Sequence, residues 1–128
     1  MRKSGARRRE LRQDGLVDIA ELRVQARMIR ETYARETARR YGRSWTPEEY
    51  MLGFLGDVGD LAKLVQGKAG VRPRDDLDEA LAHELADCLW SILTLADCYA
   101  VDLEAAFTKT MQDIADHLES LDVAQPLD

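Results

Sequence analysis

Cysteine and long apolar runs are scarce in this 128-residue chain. The two cysteines, Cys88 and Cys98, fall in one predicted helix, where ten residues at ~1.5 Å per residue separate them by ~15 Å. We therefore exclude a disulfide between them and interpret both as small core residues in a reducing compartment. Because no apolar run approaches ~18 residues and the basic N-terminus lacks the apolar segment of a signal peptide, we expect a cytoplasmic protein without a membrane span.

Several kinds of catalytic and metal-binding motif are also missing. Histidine occurs twice, and neither His83 nor His117 has a partner at metal-ligand spacing, so we interpret both as non-ligand residues. The sequence contains no P-loop, no zinc-binding cysteine pairs and no nucleophile elbow. No segment indicates a strand, and the apolar spacing throughout predicts an all-α fold.

Charge is distributed unevenly along the chain. Residues 1–45 carry 13 Lys and Arg against 6 Asp and Glu, whereas residues 46–128 carry 5 against 18. Residues 1–15 hold almost nothing apolar, so we expect a basic flexible arm there and a single domain over residues 16–128. The acidic part is a poor nucleic-acid surface but suits metal cations, and a nucleic-acid contact through the arm ranks lowest among the functions considered.

Apolar residues recurring at three- and four-residue steps predict four helices. The second has the clearest start, with Thr46 as N-cap, Pro47 in the first turn and Glu49 completing a capping box. The predicted bounds are, in order, Leu16 to Tyr41, Thr46 to Gln66–Gly67, Asp75 or Asp76 to Tyr99, and Asp102 onward.

Each helix carries an apolar stripe that we expect to face the core. The stripes consist, helix by helix, of Ile19, Leu22, Ala26, Ile29, Tyr33 and Thr37; of Met51, Phe54, Leu55, Val58, Leu61, Ala62 and Val65; of Leu81, Leu85, Cys88 and Ile92; and of Leu103, Phe107, Met111, Ile114, Leu118 and Leu121.

The third helix is apolar most of the way round. Between Leu85 and Tyr99 its charged residues are Asp87 and Asp97, and four helices cannot easily bury such a helix. We therefore predict a four-helix bundle in which a second subunit covers this helix. Trp90 lies opposite the stripe and is either a core side chain or an interface anchor.

Two acidic pairs occur inside these apolar stretches. Asp57 and Asp60 are spaced i,i+3 in the second helix, and Glu84 and Asp87 repeat that spacing in the third. Each pair lies on one helix face beside the expected core stripe, and an antiparallel packing of the two helices would bring both faces to one groove. Hard divalent cations prefer such oxygen ligands, although a solvated acidic surface is the alternative.

Three glycines lie within the second helix, at Gly53, Gly56 and Gly59. Each helix-interior glycine costs ~1 kcal/mol relative to alanine, so we expect another reason for them. The missing side chains allow either a close helix contact or room for a ligand.

The segments GDVGDLAKLVQGK and HELADCLWSILTLADCYAVDLEAAF resemble the MazG-like all-α nucleoside triphosphate pyrophosphohydrolases. That family carries an ExxE motif on one helix and ExxD on the next, which correspond here to Asp57-x-x-Asp60 and Glu84-x-x-Asp87. The Gly56-Asp57 pair is similar to the dCTP pyrophosphatase branch. The resemblance covers roughly Trp45 to Met111.

The resemblance implies a reaction and a set of site residues. Asp57, Asp60, Glu84 and Asp87 would be the catalytic, metal-binding residues, holding Mg²⁺ or Mn²⁺. Water would attack the α-phosphorus of a nucleoside triphosphate and release a nucleoside monophosphate and pyrophosphate. It also implies a homodimer or homotetramer. Candidate substrate-binding residues are Lys63, Lys68, Trp45 and Lys109, with Arg72 and Arg74 also near enough in sequence to meet phosphates.

The chain departs from the family pattern at several positions. The first motif has Asp57 and Asp60 where the family usually has Glu, and each change shortens the side chain by one methylene. Lys109 has no Asn four residues later, and Gly67 stands where an aromatic residue is common. A second hypothesis is therefore a catalytically weakened helical oligomer that serves as a nucleotide-binding or interaction module.

Overall fold

Four helices make up the part of the chain that the computed structural model describes, residues 17–124. They are α1 (Ile19–Tyr41), α2 (Pro47–Lys68), α3 (Leu77–Cys98) and α4 (Leu103–Ala124). No strand occurs within these residues, so the all-α prediction is confirmed. The predicted arm, residues 1–15, lies outside the described residues.

Local capping signals set the first two helices. Asp18 caps α1 by accepting a hydrogen bond from the Glu21 backbone N–H at 2.9 Å, and Gly42, at φ 80°, ends this helix in the left-handed conformation. Thr46 and Glu49 form the predicted capping box at the start of α2. Hydrogen bonds from Arg43, and from the Thr46 backbone, lower the pKa of Glu49 to about 2.

The starts of α3 and α4 differ in how they are capped. Asp102 Oδ1 accepts a hydrogen bond from the Ala105 backbone N–H at 3.1 Å, as expected for the α4 cap. Asp76 occupies the α3 cap position but makes no side-chain capping bond. Its carboxylate instead accepts two hydrogen bonds from Arg74. The α3 start therefore depends on the preceding loop as well as on the helix itself.

Helices α2 and α3 form an antiparallel pair on which α1 packs. The first turns of α2 and the end of α3 line one cavity, whereas the second half of α2 lies beside the first half of α3. Helix α1 reaches α3 through Trp90, whose indole N–H donates to the Ala26 carbonyl at 3.2 Å. Edge-to-face ring contacts join Trp90 to Tyr33 and to Tyr50. These contacts place the half-buried Trp90 side chain against α1 and α2 within the protomer.

The predicted core stripe of α2 is wrong in part. Tyr50 and Leu64 are buried, and Phe54, Asp57 and Leu61 are half-buried on the same face. The apolar residues one step further round the helix are exposed, including Met51, Leu55, Val58 and Val65. Because α2 has two apolar faces, periodicity could not decide which one α3 covers. The face that carries Asp57 is the inner one.

Helix α3 shows the same rotation relative to its predicted stripe. Cys88 is buried as expected, but Leu85 and Ile92 are exposed, and Leu93 and Ala96 are buried instead. On α1, Ala26 is buried while Ile29 and Tyr33 are about half exposed. The buried positions follow from packing against two neighbours, since α3 contacts α2 on one side and α1 on another.

Helix α4 lies outside this packing. Leu103 is half-buried, and each described side chain from Glu104 to Val123 is exposed. Its predicted stripe therefore faces no other part of the described chain.

The glycines of α2 are open rather than closely packed. A Cβ atom added at Gly53, Gly56 or Gly59 would meet nothing within 4 Å among the residues described, so the close-contact interpretation is wrong for the protomer. Gly67 is the crowded position, because a Cβ there would lie 2.7 Å from the Arg72 carbonyl oxygen and from Leu77 Cδ1. The loop before α3 thus leaves no room for the aromatic side chain common at this position.

Two further predictions, on membrane spans and on the cysteines, concern residues 17–124. No helix there is long and apolar enough to cross a membrane. Cys88 and Cys98 are both free thiols, as the spacing predicts.

Candidate metal centre

Three carboxylates from two helices meet on the inner side of the α2–α3 pair. Asp57 and Asp60 lie one turn apart on α2, and Glu84 faces them from α3. One oxygen from each lies within 4.8 Å of the others. The i,i+3 spacing puts the two aspartates on one flank, and the rotation of α2 described above turns that flank toward Glu84.

Glu84 contributes a carboxylate oxygen that is shielded from water. Its Oε1 atom is buried and has no hydrogen-bond partner among the described residues. Burial raises the pKa of Glu84, and the negative charges of Asp57, Asp87 and Asp60 raise it further. A buried carboxylate oxygen without a partner, beside like charges, is costly, and either protonation or a bound cation relieves that cost.

No described Lys or Arg side chain forms an ion pair with these three acids. The ion pairs of the described chain lie elsewhere, for example Arg43–Glu49 and Lys68–Asp78. Carboxylate oxygens are the ligands that hard divalent cations such as Mg²⁺ prefer, so the donor set fits such an ion. The buried Glu84 Oε1 atom, which has no hydrogen-bond partner among the described residues, also favours a bound cation.

The fourth predicted acid, Asp87, is not in the three-oxygen group. Its Oδ2 atom lies 3.1 Å from His83 Nε2, and its side chain is 43% exposed. The structure therefore brings together three of the four predicted carboxylates and places the fourth one turn further along α3. His83, interpreted from the sequence as a non-ligand residue, lies one helical turn before Asp87 and close to its carboxylate; their i,i+4 spacing was the available signal.

A groove of about 500 Å³ continues from the acidic cluster along the same side of the helix pair. Asp60 and Glu84 belong to both the cluster and the groove. Its other lining residues are Lys63, Leu64, Arg74, Asp76, Glu79, Ala80 and His83. Of the predicted substrate-binding residues, Lys63 lies here.

The candidate substrate-binding residues Lys68, Trp45 and Lys109 lie elsewhere. Lys68 pairs with Asp78 at 2.7 Å, outside this groove. Trp45 packs edge-to-face on Tyr50 at the start of α2, and twelve residues separate it from Asp57, which is ~18 Å along the helix. Lys109 is on α4 and pairs with Asp113 at 2.7 Å. The described protomer thus brings none of these three to the acidic cluster.

Comparison with protein families gives a match over this region. The MazG nucleotide pyrophosphohydrolase domain matches residues 45–117, more than half of the chain and the part that includes all four predicted acids. The chain belongs to the MazG nucleotide pyrophosphohydrolase family. Comparisons with curated proteins and with solved structures found no match.

Membership of this family indicates the class of reaction that the MazG domain catalyses. The family supports hydrolysis of a nucleotide anhydride as the class of activity, and it is typically metal-dependent. Asp57, Asp60 and Glu84 could bind such a metal. The dCTP pyrophosphatase branch is not tested by the family match and stays a prediction.

Proposed function

We propose that this MazG domain hydrolyses nucleoside triphosphates to a nucleoside monophosphate and pyrophosphate in the presence of Mg²⁺ or Mn²⁺. Water attacks the α-phosphorus, the new P–O bond forms there, and the bond to the α,β-bridging oxygen breaks. The water proton goes to a base, and pyrophosphate leaves with the bridging oxygen.

One observation carries this proposal: oxygens of Asp57, Asp60 and Glu84 lie within 4.8 Å of one another inside a MazG domain. We assign the cation to these three side chains, because they come from facing helices and have no described cationic partner. When bound, the ion neutralises phosphate charge and lowers the pKa of a water molecule.

Asp87 is assigned a different role from the other three acids. It lies outside the three-oxygen group, and its Oδ2 atom is 3.1 Å from His83 Nε2. We assign to Asp87 the proton of the attacking water, since a carboxylate that is not engaged with the cation keeps an oxygen available as base. His83 then acts by orienting that carboxylate.

The test of the reaction is product identification with a panel of ribo- and deoxyribonucleoside triphosphates. Monophosphate plus pyrophosphate would support the proposal, whereas diphosphate plus phosphate would contradict attack at the α-phosphorus. Glu84→Gln should abolish turnover. Glu48→Gln is the matched control, because Glu48 is an exposed residue in the first turn of α2, outside both the groove and the cluster, and this variant should retain turnover.

Binding measurements separate the two roles assigned to the acids. Glu84→Gln should lose both Mn²⁺ binding and turnover, whereas Asp87→Asn should lose turnover while keeping Mn²⁺ binding. Calorimetric titration with Mn²⁺ in the absence of nucleotide measures the Mn²⁺ affinity of each variant directly. An Asp87→Asn variant that no longer binds Mn²⁺ would show that Asp87 is a ligand and not the base.

The weakened-module hypothesis also has a specific observation in its favour. Asp57 and Asp60 are short, and Asp87 lies outside the three-oxygen group, with His83 close to its carboxylate. Under this hypothesis the protein binds nucleotide in the presence of Mg²⁺ without turnover of any panel member. Nucleotide binding without product over long incubation would therefore favour the module over the enzyme.

A second copy of the chain is the partner that we propose. The exposed apolar residues of α2, such as Leu55 at 62% and Val58 at 41%, lie on the flank opposite Asp60 and Lys63. Leu85, Leu89 and Ile92 of α3 lie on the same side of the antiparallel pair and are 40–51% exposed. Helix α4 adds an exposed apolar stripe of its own. Contiguous apolar surface of this kind favours association, here as a homodimer or homotetramer.

A further inference from the structure

Lys63 differs from the other lysines that the structure describes. Lys68 and Lys109 are each paired with an aspartate at 2.7 Å. Lys63 forms no ion pair with any described carboxylate, although it lines a groove that also contains Asp60 and Glu84. A lysine that leaves nearby carboxylates unpaired is available for an anionic ligand.

The groove is continuous with the acidic cluster. Asp60 and Glu84 line both, and Lys63 follows Asp60 by three residues, so the two side chains lie on one face of α2. The groove volume of about 500 Å³ falls within the range of small-molecule sites, ~300–1,000 Å³. A ligand held at the cluster can therefore extend past Lys63 without leaving the groove.

The groove carries more negative than positive side chains, which limits the conditions under which an anion can bind there. Four carboxylates line it, from Asp60, Asp76, Glu79 and Glu84, against the cationic side chains of Lys63 and Arg74. Arg74 is matched by Asp76, to which it donates two hydrogen bonds. An anion would therefore be repelled by the groove alone, and would bind only with the cation at the cluster and with Lys63 supplying further positive charge.

We propose that this groove binds the pyrophosphate end of the substrate, and that Lys63 is the side chain that contacts the β- and γ-phosphates. This inference rests on the proposed function, in which the cluster holds the cation beside the α-phosphorus. In that arrangement Lys63 neutralises charge that accumulates on the pyrophosphate as the bridging bond breaks. Lys63 is a substrate-binding residue, and Lys68, on the same helix, is not.

Calorimetric titration with pyrophosphate in the presence of Mg²⁺ tests the inference without relying on turnover. Lys63→Gln should weaken pyrophosphate binding at least about tenfold, because it removes a charge-assisted hydrogen bond to the phosphates. Lys63→Arg should restore most of the affinity. Lys68→Gln is the matched control and should bind as the unmodified protein does. A panel of nucleoside monophosphates, which lack the β- and γ-phosphates, should bind the Lys63→Gln variant with unchanged affinity.

Several outcomes would overturn the inference. Equal loss in the Lys63→Gln and Lys68→Gln variants would indicate a general charge effect, and no loss in either would leave Lys63 without the role. Failure of the unmodified protein to bind pyrophosphate with Mg²⁺ would also overturn it. The proposed function fails separately, through the wrong products or no turnover. Normal turnover with unaltered pyrophosphate binding in the Lys63→Gln variant would reject the role of Lys63 and leave the proposed function standing.

Discussion

Arg27 of α1 donates two hydrogen bonds to Asp97 of α3, from Nε at 3.2 Å and from Nη2 at 2.5 Å. Arg30 adds an ion pair to the same carboxylate at 2.7 Å. The Asp97 side chain is 16% exposed, so these contacts are partly shielded from water. Hydrogen bonding by Arg27 is the main reason that the pKa of Asp97 is lowered, with Arg30 also contributing. The pair fixes α1 against the end of α3.

Replacing Asp97 with Asn should lower the free energy of unfolding by about 1.5–3 kcal/mol at neutral pH, the range for hydrogen bonds to charged groups. The pKa of Asp97 is lower in the folded protein than its ordinary value of 3.8. The stabilisation by the ionised carboxylate is therefore present above pH 3.8, and it is lost as the pH falls from 3.8 through the lower pKa of the folded state. The unmodified protein should therefore lose more stability below pH 3.8 than the variant does. Urea denaturation across pH 3–7 measures both effects.

The matched control for Asp97 is Asp113→Asn on α4. Asp113 pairs with Lys109 at the same kind of distance, 2.7 Å, but its side chain is 61% exposed. We expect a change below ~1 kcal/mol, because exposed ion pairs contribute little. Equal effects at Asp97 and Asp113 would contradict the importance assigned to the α1–α3 contact.

Glu84→Gln should stabilise the metal-free protein and abolish its stabilisation by Mn²⁺. Burial and nearby carboxylates raise the pKa of Glu84, so the folded state favours its protonated form. As the pH rises through this raised pKa, the ionised carboxylate costs stability, and glutamine removes that cost. The melting temperature at pH 7 should therefore rise without metal, and the increase on adding Mn²⁺ should disappear. A melting temperature that falls in the metal-free variant, with Glu48→Gln unchanged, would contradict this.

Two glycines of α2 should respond to alanine in opposite directions. Gly59→Ala should raise the free energy of unfolding by about 1 kcal/mol, because the added methyl meets no described atom within 4 Å and alanine is the better helix former. Gly67→Ala should lower it by roughly 1–3 kcal/mol, since its Cβ would lie 2.7 Å from the Arg72 carbonyl oxygen. Chemical denaturation compares the two. A stabilising Gly67→Ala would mean that the loop before α3 adapts easily.

Leu89→Glu should dissociate the proposed oligomer. Leu89 is 40% exposed on the apolar side of the α2–α3 pair, where a buried carboxylate would lack a partner. Val71→Glu is the control, because Val71 is 69% exposed in the loop before α3, away from that side. Static light scattering at micromolar concentration should show a smaller mass for Leu89→Glu only. A monomeric unmodified protein would refute the oligomer itself.

Short-range capping and stop signals in the sequence predicted much of the fold. The Thr46 capping box, the Gly42 stop and the Asp102 cap are formed by residues within four positions of one another, so short-range chemistry decides them. The inner face of α2 was harder to predict, because Met51, Leu55 and Val58 are as apolar as the residues that α3 covers. Burial of the face with Asp57 depends on a partner helix about 25 residues further along the chain.

The sequence by itself determined four helices, the Thr46 and Asp102 caps, the Gly42 stop, and two i,i+3 acidic pairs that each share a helix face, since backbone geometry fixes these over one or two turns. Tertiary structure decided which acids meet: Asp57, Asp60 and Glu84 come together, while Asp87 lies outside that group. It also separated Lys63, in the groove, from Lys68, which is paired with Asp78. The physical reason is that the relative rotation of α2 and α3 is set by side-chain packing between them, which no local pattern specifies.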